Sequence, residues 1–260
     1  MASETRRPWV GGNWKCSADL STVHAALDVL KGAKPLPSNV DVVVAPSHLH
    51  IGKVMSELPE LARIAAQNIH SCDGYGAFTG EHSADMLIDF GVKTVIIGHS
   101  ERRHIFKESD DESAKKAKVA LDKGMEVVFC IGETLEEREA NKIMEVNTRQ
   151  LKPLVDVVKS EDWNRIVIAY EPVWAIGTGK TATKDQAQEV HAELREWLSQ
   201  QLSPSIAKSL RIVYGGSVKS GNCEQLMGEK DIDGFLVGGA SLKPDFADII
   251  KAAAKKGSSA

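Results

Sequence analysis

Short apolar runs alternate with amphipathic stretches along the whole chain. The runs fall at residues 9–14, 40–45, 63–67, 94–97, 125–130, 166–170, 211–214 and 234–237. Several are apolar almost without interruption, such as Ile166-Val167-Ile168-Ala169-Tyr170. A strand covered on both faces reads this way, as in a parallel sheet flanked by helices. Between the runs, apolar residues recur at helical spacing. Residues 21–30 place Val23, Ala26, Leu27 and Leu30 on one face. Longer helices are expected over 110–123, 136–159 and 183–201, and a last one over 245–254. Thr183 is a candidate N-cap, with Gln186 at the capping-box position. Pro153 is expected to kink or divide the 136–159 stretch, because it lacks the amide proton that the helix ladder uses.

Eight strand–helix units with no Pro/Gly-rich linker argue for one α/β domain over 1–260, with a small polar tail, 255–260, that frays. The pattern by itself does not separate a closed barrel from an open doubly wound sheet. The placement of unusual residues favours a (β/α)8 TIM barrel. Asn13, Lys15, His99, Glu171, Tyr214-Gly215-Gly216-Ser217 and Gly238-Gly239 all fall at or just past the C-terminal end of a run. Barrel enzymes place their chemistry on that face.

Charge and cysteines narrow the class. The net charge of −4 is mild and mixed in sign, so neither nucleic acid nor a membrane is an expected partner. Cys16, Cys72, Cys130 and Cys223 lie far apart, with no CxxC pair, which fits neither a zinc site nor a disulfide scaffold. A reducing, cytoplasmic setting is expected, with a plastid location left open.

Four segments carry candidate chemistry. Glu171 ends a buried strand and is followed at once by Pro172. A partly dry carboxylate at the sheet's mouth has a raised pKa and serves as a general base. A strand-end salt bridge is the competing reading. Gly177, Gly179 and their small neighbours suggest a closing lid, with its tip at 175–179 and hinges at 172–174 and 180–182. The segment ends like a Walker A motif, Gly179-Lys180-Thr181, but that motif needs glycine at 174, where this chain has Trp174. The P-loop reading fails on that requirement, because the bulk of Trp174 would block close approach of a phosphate to the backbone. His99 precedes Ser100, a helix-cap type, with Glu101 in the first turn. The positive end of a helix keeps an imidazole neutral, able to donate a hydrogen bond to a carbonyl oxygen. Lys15 suits an anionic group, and Asn13 is placed to orient it. The glycine pairs after the last two strands bring backbone N–H groups to the usual phosphate seat of barrels.

Taken together the segments resemble the triose-phosphate isomerase family. The motifs are Gly-Asn-Trp-Lys at 12–15, Gly-Ala-Phe-Thr-Gly-Glu at 76–81, Gly-His-Ser-Glu-Arg-Arg at 98–103 and Cys-Ile-Gly-Glu at 130–133. They continue with Ala-Tyr-Glu-Pro-Val-Trp-Ala-Ile-Gly-Thr-Gly-Lys at 169–180, Tyr-Gly-Gly-Ser at 214–217 and Gly-Phe-Leu-Val-Gly-Gly-Ala-Ser-Leu at 234–242. The resemblance implies interconversion of dihydroxyacetone phosphate and D-glyceraldehyde 3-phosphate through an enediol(ate), in glycolysis and gluconeogenesis. It implies Glu171 as the base, His99 as the neutral electrophile, and Lys15 and Asn13 as stabilisers of negative charge. Gly177, Ser217, Gly238 and Gly239 would hold the phosphate, with Glu101 and Cys130 as supporting positions. No cofactor and no metal are implied. A homodimer is implied, in which the loop from Gly76 to Glu81 enters the partner and Thr79 meets the partner's Asn13.

The chain departs from the family at two places. Ser17-Ala18 replaces a common Asn-Gly, and His70-Ser-Cys-Asp-Gly-Tyr75 is an unusual version of the interface loop. Two other readings stay open: a different phosphate-binding barrel enzyme, such as an aldolase-type lyase, and a catalytically silent barrel used as a binding scaffold.

Overall fold

The computed structural model describes residues 6–176 and 181–256. Its strands are β1 Trp9–Asn13, β2 Asp41–Ala45, β3 Ala62–Ala66, β4 Thr94–Ile97, β5 Glu126–Ile131, β6 Ile166–Tyr170, β7 Arg211–Tyr214 and β8 Gly234–Val237. Neighbours in sequence pair in parallel, and β1 pairs β8, so the sheet closes on itself. This is the TIM barrel expected from the position of the polar residues.

The closed sheet explains the uninterrupted apolar runs. Side chains alternate between the two faces of a strand, and here both faces are covered. Val43, Ala45, Ala65, Ile96, Val128, Val167, Ala169, Val213 and Leu236 fill the interior with Trp9. Val42, Val44, Val95, Val127, Ile166, Ile168 and Ile212 face outward into the layer of helices.

That layer comprises α1 Leu20–Gly32, α2 Ile51–Met55, α3 Ala84–Asp89, α4 Ser100–His104, α5 Asp110–Asp122, α6 Leu135–Glu139, α7 Ile143–Val157, α8 Lys184–Gln201, α9 Pro204–Ser209, α10 Cys223–Met227 and α11 Asp245–Lys256. Thr183 caps α8 in a capping box with Gln186, as expected. The 136–159 stretch is divided, but not at Pro153, which lies inside α7. The break is at Asn141, which takes the left-handed conformation at φ 56. The Lys142 amide donates to the Glu137 carbonyl and the Asn141 amide to the Arg138 carbonyl, both at 2.9 Å. Those two bonds are a Schellman stop, which ends α6 by satisfying its last carbonyls. Proline removes one ladder bond from α7 but leaves Leu151 and Leu154 buried, and the helix continues. The last helix also runs past residue 254 to Lys256, whose ammonium donates to the carbonyls of Glu229 and Ile232.

Candidate active site

A cavity of about 440 Å³ opens at the C-terminal mouth of the barrel. Asn13, Lys15, His99, Glu171, Ser217, Gly238 and Gly239 all line it. These residues come from the ends of β1, β4, β6, β7 and β8, so closure of the sheet is what brings them together. Gly177 and most of the expected lid tip lie outside the described residues.

Lys15 follows β1 in the left-handed conformation, at φ 52. A lysine needs support there, because its Cβ crowds the backbone. Asn13 Oδ1 accepts the Lys15 N–H at 3.0 Å, and Gln67 Nε2 donates to the Lys15 and Ala45 carbonyls, each at 2.9 Å. The turn aims the ammonium across the mouth to Glu101 Oε1, at 2.8 Å.

Helix α4 is capped by His99 itself rather than by Ser100, which is its first residue. The ring fills the role that a serine hydroxyl would take one position later. His99 Nδ1 accepts the Glu101 N–H at 3.2 Å. An imidazole nitrogen that accepts a hydrogen bond carries no proton, so the ring's N–H is at Nε2. Nε2 stands 3.1 Å from Glu171 Oε1.

Glu171 is only 2% exposed, and its Oε2 accepts the Ser100 N–H at 3.1 Å. Dryness was expected to raise its pKa. Burial does push it up, but the His99 ring, the Ser100 amide and the Lys15 ammonium outweigh burial and hold the carboxyl below its ordinary value. Position 215 also belongs to this residue: a Cβ there would stand 2.7 Å from Glu171 Cγ. Gly215 therefore makes room for the Glu171 side chain.

Cys130 lies buried beneath the site, and burial followed by the Glu171 carboxylate pushes its thiol well above the ordinary value. Four further residues hold the site in place and were missed from sequence: Gln67, Arg103, Glu133 and Gln150. Glu133 is fully buried and accepts from Tyr170 Oη at 3.0 Å, Trp174 Nε1 at 2.9 Å and Arg138 Nη1 at 3.3 Å. It thereby ties the turn Val173–Ala175 to the end of β5. Its place in the Cys-Ile-Gly-Glu motif was the one available signal.

Beside the mouth, the 70–82 loop is closed by a bond from the His70 amide to the His82 carbonyl at 2.9 Å. Tyr75 and Phe78 of this loop, together with Leu49, Ile105 and Phe106, are exposed. A second cavity, lined by Asn13, Lys15, Cys16, Gly80, Glu81 and Phe106 among others, lies next to them.

The family model described as triosephosphate isomerase matches residues 8–253. The chain belongs to the triosephosphate isomerase family. It is 51% identical over 249 residues to "Triosephosphate isomerase, chloroplastic" of Secale cereale, covering 95% of this chain and 82% of that one. It is 52% identical over 253 residues to the protein of the same description from Fragaria ananassa, covering 97% of this chain and 79% of that one. The chain is thus an isomerase of triose phosphates, and a lyase or a silent scaffold is set aside. Among the described residues, no helix is long and apolar enough to cross a membrane.

Proposed function

We propose that Glu171 is the base that moves a proton between the two carbons of the triose phosphate, with His99 moving protons between the two oxygens. The observation that carries this reading is the 3.1 Å approach of His99 Nε2 to Glu171 Oε1, with Lys15 and Asn13 lining the same cavity. In the resting site the carboxylate is bound to His99 and to the Ser100 amide. A substrate carbonyl placed between them takes over the Nε2–H bond and frees the carboxylate to reach carbon. Glu171 then accepts the proton, the C–H electron pair forms the enediolate double bond, and the carbonyl oxygen gains negative charge. Lys15 and the His99 N–H stabilise that charge. Ser217, Gly238 and Gly239, with Gly177, would hold the phosphate. Returning the proton to the neighbouring carbon completes the isomerisation, so no cofactor or metal is called for.

A coupled isomerase assay on Glu171→Asp tests the assignment. The shorter side chain withdraws the base by about 1 Å, and the expected loss in kcat is on the order of 100-fold. Equal activity of the two proteins would remove Glu171 from the role.

The chain is read as a single domain that forms a homodimer through the loop from Gly76 to Glu81. Tyr75 and Phe78 leave large apolar groups exposed on the 70–82 loop, and the exposed Phe106 lines the cavity beside Lys15 and Cys16, which supports this because exposed apolar groups of this size mark an interaction surface. The cavity around Asn13, Lys15 and Cys16 would receive the partner's loop. Light scattering should give twice the chain mass for the native protein, and a monomer for a chain with residues 75–79 shortened. A native monomer at micromolar concentration would overturn the dimer. A reducing compartment, cytoplasm or plastid stroma, suits the four free cysteines. Fractionation that placed the chain in the secretory pathway would contradict it.

A further inference from the structure

Strand β5 climbs higher than its neighbour on one side. The β4–β5 ladder ends at the pair Ile97↔Phe129, where β4 turns away at Gly98 with φ 71. On the other side β5 stays paired to Ile131↔Tyr170, and the Glu171 amide donates to the Ile131 carbonyl at 2.7 Å. Backbone groups of successive residues in a strand face opposite neighbours. Ile131 serves β6, so Cys130 and Gly132 face the side where β4 has already left. Buried peptide groups need partners.

Side chains supply them. Arg103 Nη2 donates to the Cys130 carbonyl at 3.1 Å. Gln150 serves both groups of the next outward-facing residue: its Oε1 accepts the Gly132 N–H at 2.8 Å and its Nε2 donates to the Gly132 carbonyl at 3.1 Å. A primary amide carries the same donor and acceptor as a peptide group. Gln150 therefore stands in for a missing strand, from a position on α7 that is 2% exposed. Both Gln150 and Gly132 are buried away from solvent.

Gly132 in turn lies flat against the main chain of Glu171. A Cβ at position 132 would stand 1.7 Å from the Glu171 carbonyl oxygen. With no slack between them, a shift of one backbone shifts the other. We propose that Gln150 is a positioning residue for Glu171: it fixes Gly132, and Gly132 sets where the carboxylate enters the cavity. The inference rests on the reading of Glu171 as the base. It gives a reason for a doubly bonded amide on a helix face otherwise buried through Val146, Asn147, Leu151 and Leu154.

Gln150→Met keeps the length of the side chain and removes both bonds. Its kcat should fall about tenfold to a hundredfold while KM stays within about twofold, since the reacting geometry is lost and phosphate binding is not. In a Glu171→Asp background, where the base is already withdrawn, the same change should cost less than about threefold. Gln150→Glu supplies a second test. A neutral carboxylic acid offers the same donor and acceptor as the amide, whereas the carboxylate loses the donor and sets a charge against the Gly132 carbonyl. The ratio of its kcat to that of the native protein should rise as pH falls. An unchanged kcat in Gln150→Met, or an equal loss in both backgrounds, would overturn the proposal and leave Gln150 a packing residue. Should Gln150→Met not fold, a ratio for Gln150→Glu that is flat across pH would overturn it. Full activity of Glu171→Asp alone would instead defeat the assignment of the base, and the proposal with it.

Discussion

The two ends of this barrel treat charge in opposite ways. At the N-terminal end Asp233 accepts from Arg6 Nε at 2.6 Å, from Arg195 Nη2 at 2.7 Å and from the Ile212 amide at 2.8 Å. Asp41 likewise holds Arg7 at 2.7 Å and Arg211 at 2.6 Å, and Glu126 holds Arg63 at 2.8 Å. Each carboxylate there has fixed partners, and nothing further is asked of it. At the C-terminal end Lys15 sits in a strained backbone conformation, and Glu171 is buried on bonds to His99 and Ser100 that, on the proposed mechanism, a substrate breaks. Satisfied charges at one end keep the strands in register. Provisionally satisfied charges at the other end keep groups available for reaction.

The strongest way to break that comparison is at Asp233. Asp233→Ala takes one carboxylate from the Arg6 and Arg195 guanidinium groups, which keep Asp231 and main-chain carbonyls, and removes the acceptor of the Ile212 amide. The expected loss of stability is roughly 3–5 kcal/mol, the usual cost of removing one partner of a buried pair. Urea unfolding followed by circular dichroism would read it. The kcat per folded molecule should stay within about twofold, since among the described residues no group lining the cavity touches this network. A large fall in kcat with stability unchanged would show that the two ends are not separate in function.

What the sequence made legible follows the same division. All eight strands were placed to within a residue or so, because both faces of each are buried and the apolar runs are uninterrupted. The strand-end residues were legible because a barrel gathers them on one face. The break between α6 and α7 was not, since it depends on the backbone conformation of Asn141, while Pro153 drew the eye. His99 as its own cap was missed, because histidine is rarely a capping residue. Gln67 and Gln150 were invisible for another reason: each binds main chain far away in sequence, so nothing local marks it. The direction of the Glu171 shift also needed distances. Burial was readable from the flanking residues, but the approach of His99 was not.

His191 sharpens the comparison from between the two ends. It is fully buried on α8, its ring edge-on to Tyr170 at 5.5 Å and tilted against Tyr214 at 6.2 Å. Its Nδ1 lies 2.7 Å from the Ala187 carbonyl. Burial is the dominant influence and pulls its pKa from 6.5 down to about 4. A lowered pKa in the folded state means that the unfolded chain takes up the proton first as pH falls. The contribution is therefore intact above pH 6.5, declines between 6.5 and about 4, and levels off below. Over that window the loss amounts to roughly 3 kcal/mol, slightly less than the effect at Asp233. His191→Phe fills the site with a ring that cannot titrate. Carboxylates also protonate in acid, so the measurement is the difference between the two proteins in urea unfolding at about pH 7.5 and about pH 4. The native protein should lose roughly 3 kcal/mol more than the variant across that interval. Equal losses would mean that His191 binds its proton as readily folded as unfolded, and that burial against the two tyrosines does not keep it neutral. A histidine held neutral by burial is a third solution beside the paired charges below and the reactive ones above. It lets the strand ends that carry Glu171 and Gly215 pack against a polar side chain that stays uncharged at neutral pH.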